Sequence, residues 1–88
     1  MSEKDDLFEF PCDFPIKVMG RRSETFEGRV VSLVRRHVPD LGEGAVRTRE
    51  SAQGNYLAVT VTVRATSREQ LDNLYRELTA DEEILMVL

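Results

Sequence analysis

From Leu57 to Val63 every second residue is apolar, and those between, Ala58, Thr60 and Thr62, are small or polar. A period of two marks a strand with one face buried and the other toward water, so residues 56–65 form the long strand at the middle of the fold. Phe14, Ile16 and Val18 alternate in the same way with Pro15, Lys17 and Met19, predicting a first strand that stops at Gly20. Pro15 has no N–H to give a ladder, so it belongs at the strand's start or at a non-bonded position. Val46 and Thr48 against Arg47 and Arg49 alternate less clearly, as in an exposed edge strand over 45–51. Gln53-Gly54-Asn55 can supply positive φ and predicts a hairpin into the long strand. At the other end, Ile84-Leu85-Met86-Val87-Leu88 is apolar at every position, so both its faces or its free edge should be covered.

Two stretches carry the helical period instead. Over residues 24–37, Phe26, Val30, Leu33 and Val34 form one stripe with Val31 on its flank. Ser23 is the expected N-cap, Glu24 and Glu27 favour the positive start, and Arg35, Arg36 and His37 favour the end. Pro39 pushes Val38 out of the helical region and closes the segment. Gly28 costs about 1 kcal/mol relative to alanine inside a helix, which a close packing contact would justify. Leu71, Leu74, Tyr75 and Leu78 make the second stripe, opened by Thr66 and Glu69 as a capping box. The order strand, helix, strand, strand, helix, strand builds two βαβ halves with right-handed crossovers. The fold class is therefore α+β: a ferredoxin-like βαββαβ sandwich, a four-stranded antiparallel sheet with both helices on one face. Its expected strand order is four, one, three, two, leaving residues 84–88 at an edge.

Composition bounds what such a domain can do. At 88 residues the chain holds one domain over 7–88 behind a short acidic tail at 1–6, expected to be disordered. A core of that size leaves little room for an enclosed cavity, so any ligand sits at a surface or an interface. The net charge of −4 argues against broad attraction to nucleic acid or anionic membrane. One cysteine, Cys12, excludes an internal disulfide framework and any multi-cysteine metal site. No stretch resembles a signal peptide or reaches the roughly 18 apolar residues of a membrane span, which predicts a cytoplasmic protein.

The segments Phe10-Pro11-Cys12-Asp13-Phe14-Pro15-Ile16-Lys17-Val18-Met19-Gly20, Gly54-Asn55-Tyr56 and Ile84-Leu85-Met86-Val87-Leu88 resemble the YbeD family of small, uncharacterised bacterial proteins. The resemblance runs over nearly the whole chain from Leu7. It implies a ferredoxin-like fold similar to the ACT regulatory domain, a cytoplasmic location and no established biochemical activity. Where that family often has a polar residue after Tyr56-Leu57, this chain has Ala58, which argues against a ligand-binding side chain there.

Gly20-Arg21-Arg22-Ser23 places a permissive backbone and two guanidinium groups beside unpaired helix N–H donors, an anion site in principle. The plainer reading is that Gly20 makes a turn and both arginines are solvated or pair with the acidic tail. ACT domains approach small-molecule ligands at a glycine-containing turn of this kind, and acylphosphatases build a phosphate cradle there. The latter also need an asparagine on the neighbouring strand, whereas Asn55 falls in a hairpin turn. Lys17, Arg47, Arg49, Thr60, Thr62 and Arg64 share the sheet face away from the helices if Arg47 and Arg49 point outward. RNA-recognition motifs bind on such a face, but through aromatics on the central strands, where this chain has threonines and Lys17; Tyr56 alone is a poor platform. A protein partner, or Leu7, Phe8 and Phe10 folding over the sheet, is the better use of that face. His37 reads as a helix-end cation, Cys12 as a small inert hydrophobe, and Asp81-Glu82-Glu83 as a solvated turn. No nucleophilic triad, phosphate loop or paired-carboxylate motif is present, so no enzyme, metal or cofactor is expected.

The sequence thus predicts a cytoplasmic regulatory or interaction module that binds a protein or a small anionic or amino-acid-like molecule. Its candidate ligand residues are Gly20, Arg21, Arg22 and Ser23. Its candidate interaction residues are Ile84, Leu85, Met86, Val87 and Leu88, serving an unknown protein partner or a weak homodimer. The alternatives are an RNA-binding sheet face and, far behind, an acylphosphatase-like enzyme.

Overall fold

The computed structural model of the chain describes residues 9–88; the expectations for the acidic tail and for Leu7 and Phe8 lie outside the described residues. Four strands and two helices follow one another as expected: β1 (Cys12–Arg21), α1 (Phe26–Arg35), β2 (Val46–Glu50), β3 (Tyr56–Ala65), α2 (Arg68–Ala80) and β4 (Ile84–Val87), with a short 3-10 turn at Glu43–Ala45 before β2. The sheet order is β2-β3-β1-β4, and every pairing is antiparallel.

β1 and β3 pair over ten residues each, from Cys12 opposite Ala65 to Arg21 opposite Tyr56. Lys17 and Leu88 exchange both backbone hydrogen bonds, at 3.1 and 2.8 Å, so the odd-numbered groups of β1 point toward β4 and the even-numbered ones toward β3. Pro15 therefore sits at a non-bonded position of the β1–β3 ladder and costs it nothing. β1 is longer than its alternation implied because it continues through Gly20 to Arg21. The hairpin between β2 and β3 closes as expected: Gly54 takes φ +75, its N–H bonds to the Ser51 carbonyl at 2.9 Å, and the Ser51 N–H bonds to the Tyr56 carbonyl at 2.9 Å.

Both helices cover one face. Ile16, Val18, Leu57, Val59, Val61, Val63 and Ala65 from the sheet meet Phe26, Val30, Val34, Leu71, Leu74 and Leu78 from the helices, with Val38, Leu41 and Ile84 completing the buried core. Leu33, expected in that set, is only half-buried at its margin, as are Val31 and Tyr75. Cys12 is half-buried and packs on the core, as does Phe10.

The helix boundaries shift for local reasons. The backbone N–H of Arg22 is taken by the Asn55 carbonyl at 3.0 Å, which keeps the chain on the sheet past Gly20 and delays α1 to Phe26. Its N-cap is Thr25, not Ser23, and no side chain caps it; the two hydroxyls instead lie 3.4 Å apart. α2 is capped one residue later than Thr66 and Glu69 suggested: the Ser67 hydroxyl accepts from the Gln70 N–H at 3.1 Å, and the Gln70 side-chain Oε1 accepts from the Thr66 N–H at 2.7 Å. Gln70 was the better partner because its amide also donates to the His37 carbonyl at 2.8 Å, tying the start of α2 to the end of α1.

Candidate functional site

Gly20 is buried, and a Cβ there would lie 2.3 Å from the Phe26 ring and 2.6 Å from the Glu83 carbonyl. Its φ is not positive, so the glycine answers to packing: the first aromatic ring of α1 lies directly against it where β1 meets β4. The space through which a ligand could reach this backbone is filled by the protein's own Phe26.

The neighbouring cations differ from each other. Arg22 pairs with Glu50 at 3.1 Å on the wall of an open concavity of about 570 Å³ that also touches Glu24 and Asn55. Arg21 has no ion-pair partner among the described residues. It borders a second groove, of about 360 Å³, with Ser23, Phe26, Glu82, Glu83 and Leu85. The four predicted ligand residues are thus adjacent, but acidic side chains surround them and one of the two guanidinium groups is already neutralised.

Three expectations, two of them about charged groups, change with the tertiary contacts. Asp81 and Glu83 are not merely solvated: Arg29 binds Asp81 at 2.8 Å and Glu83 at 3.1 Å, fastening the turn before β4 to α1. Burial pushes the Asp81 carboxyl up, but hydrogen bonds from Arg29 and from the Glu83 N–H outweigh it and hold the pKa below the ordinary aspartate value. His37 does more than end a helix, because its Nε2 contacts Glu77 of α2, whose other oxygen receives Arg36 at 2.6 Å. Those bonds, His37 first and Arg36 second, lower the Glu77 pKa. Gly28 has nothing within 4 Å of where its Cβ would be, so no close packing contact explains it.

The other face of the sheet carries no helix. By register it presents two transverse rows: Leu88, Lys17, Thr60 and Arg47, then Met86, Met19, Ala58 and Arg49. Arg47 and Arg49 do point outward, and Arg64 and Asp13 flank the rows as a loose pair at 3.8 Å. On the β4 side the face is apolar and open: Met86 and Leu88 are 51% and 62% exposed, while the exposed Leu85 lines the groove beside Phe26. Of the five candidate interaction residues, Ile84 is buried in the core and Val87 half-buried, so the apolar run turns only part of itself to solvent. The edge is also shorter than a continuous strand would offer. The β1–β4 register slips between Met19 and Gly20, which leaves Leu85 without an opposite number, and such irregularities blunt an edge against strand addition.

A family model described as a protein of unknown function, DUF493, matches residues 5–88. The chain belongs to that family. Relatives include a UPF0250 protein of Chromobacterium violaceum, 54% identical over 98% of this chain and 97% of the relative. Another, from Paraburkholderia phytofirmans, is 51% identical over 99% and 98%. The resemblance to the YbeD family is thereby shown, as is its ferredoxin-like, ACT-like fold. Among solved structures, protein HP0495 from H. pylori superposes with a TM-score of 0.69 at 10% identity, covering 92% of this chain and 85% of its own. The ACT domain from GTP pyrophosphokinase of Chlorobium tepidum gives 0.64 at 13% identity, covering 86% and 84%. At such identities the likeness speaks for the fold alone. No helix among the described residues is long and apolar enough to cross a membrane.

Proposed function

We propose that this YbeD-family protein is a non-enzymatic regulatory or interaction module, and that it acts by binding another protein through the open, β4 side of its sheet. One observation carries this reading: Met86 and Leu88 stand more than half exposed beside Met19 and Lys17 on a sheet face that no helix covers among the described residues. Adjacent large apolar side chains left in water by a small domain mark a surface that another molecule covers. Face contact is favoured over strand addition because the register slip opposite Leu85 leaves a short edge.

The test uses capture from the native cytoplasm with wild type and with Met86→Lys, identification of the partner by mass, and titration of the purified pair. The variant should retain its fold and weaken the purified complex at least tenfold. Equal affinity for both proteins would refute this use of the face. Sedimentation of the same proteins alone at several concentrations tells whether the partner is a second copy.

A small anionic or amino-acid-like ligand is the second reading. It rests on the groove where Arg21 stands opposite Glu82 and Glu83 above Phe26 and Leu85, charges of both signs around an apolar floor. Titration with inorganic sulfate and with free amino acids should then move the amide resonances of Gly20 to Glu24 first. Shifts absent there, or spread evenly over the protein, would end it.

A further inference from the structure

We infer that the partner segment received by the open face is an acidic protein segment, seated by its carboxylates on the β2 side and by apolar residues on the β4 side. This rests on the reading just given and adds the chemistry of the occupant.

The chain is acidic overall, yet its open face is not. By register that face carries Lys17, Arg47, Arg49 and Arg64 against a single carboxylate among the described residues, Asp13. Arg64 leans toward Asp13, and the other three cations have no ion pair among the described residues. Across both rows the chemistry runs from apolar at β4 to cationic at β2, over three strand spacings of about 4.8 Å, or roughly 14 Å in all. Between the long side chains of β1 and β2, the β3 residues Ala58, Thr60 and Thr62 are short. They leave a trough that includes an open concavity of about 560 Å³ between Asp13, Arg47 and Thr62.

A segment laid across the strands would meet both ends. In helical form, at 1.5 Å per residue, apolar anchors and carboxylates seven to nine residues apart span about 10 to 14 Å. Such a segment satisfies cations that have no ion pair among the described residues. Face-to-face packing of two copies would instead bring arginine rows toward each other, which like charge opposes. RNA fits poorly, because the rows offer threonine, alanine, methionine and lysine where stacked bases need aromatic rings.

The probe is a synthetic 18-residue helix with a leucine stripe at one end and glutamates at the other, compared with its lysine-for-glutamate counterpart and with a twelve-nucleotide oligouridine. Binding is followed by amide chemical shifts of the full chain. The glutamate peptide should perturb Lys17, Arg47, Arg49 and Thr60 most, weaken at least tenfold in Arg47→Glu/Arg49→Glu, and weaken with added salt. Equal binding of the lysine peptide, tighter binding of oligouridine, no binding of the glutamate peptide, or self-association lost in the double variant would each overturn the inference. Loss only in Met86→Ser/Leu88→Ser, with the arginine reversal silent, would also overturn it while leaving the apolar interaction surface standing. Shifts confined to the helices would count against both.

Discussion

The two faces of one sheet use the same strands for opposite purposes. On β3, Val59, Val61 and Val63 are wholly buried beneath the helices, while Ala58, Thr60 and Thr62 between them look outward to a face that no helix covers. The inner face is closed by its own chain: apolar residues from both helices, and ion pairs that fasten the helix ends and the turn before β4. The outer face is left with cations at one side that lack an ion pair among the described residues, and with exposed apolar residues at the other. A domain this small has enough apolar surface to close one face of its sheet, and the described residues leave the second face open.

The contrast breaks most visibly if the faces have been exchanged. Leu74→Ala, in the buried stripe of α2, should cost roughly 2–5 kcal/mol in urea melts. Thr60→Ala, on the open face, should stay within about 0.5 kcal/mol. Equal losses would show that the outer face is covered in the folded monomer.

The next largest effect sharpens the inner side. Gly20→Ala forces a Cβ against both the Phe26 ring and the Glu83 carbonyl, and backbone cannot step aside as a side-chain tip can. The expected loss is about 1–3 kcal/mol, as for overpacking. Phe26→Leu should recover part of it in the double variant, a coupling read from a double-mutant cycle. A silent Gly20→Ala would mean the ring does not occupy that space.

Gly28 is the smaller, opposite case. With open space where its Cβ would stand, Gly28→Ala should stabilise the protein by about 0.5–1 kcal/mol through helix propensity and a less disordered unfolded chain. Thermal melts suffice to measure it, and a destabilised variant would point to a contact made at that helix face.

The last concerns the link between the helices. Glu77 is held below the ordinary glutamate value by His37 and Arg36. Its folded-state pKa is therefore lower than its unfolded one, so its contribution is fully present above the ordinary value of 4.5 and is lost as pH falls from there through the depressed value. Acid titration of stability should show a shallower loss below pH 4.5 in Glu77→Gln than in wild type, with Asp81 still supplying part of the slope. Identical acid slopes would detach Glu77 from folding.

What could be read without coordinates followed from periodicity. Alternation is a local property, so the strands, both helices, the hairpin at Gly54 and the buried set on β3 were legible from residue order alone. Boundaries were less so. Ser23 and Thr66 look like caps in isolation, but the caps are Thr25 and Ser67, because the Arg22 N–H is held by Asn55 and Gln70 reaches His37 across the fold. The candidate site was legible in part: the apolar run 84–88 and the outward cations could be named, whereas the division of that run into buried Ile84 and exposed Leu85, Met86 and Leu88 could not.

The sequence by itself determined the fold class, the order of its strands and which face of β3 is buried, since each depends on a repeat of two or about 3.6 residues along the chain. Only the tertiary structure decided what Gly20 is for, which acids hold Arg22, Arg29 and His37, and where the β1–β4 register slips. Those outcomes depend on residues brought together from six to nearly seventy positions apart, where a clash with a ring or the reach of a guanidinium is fixed by distance in space and leaves no periodic trace.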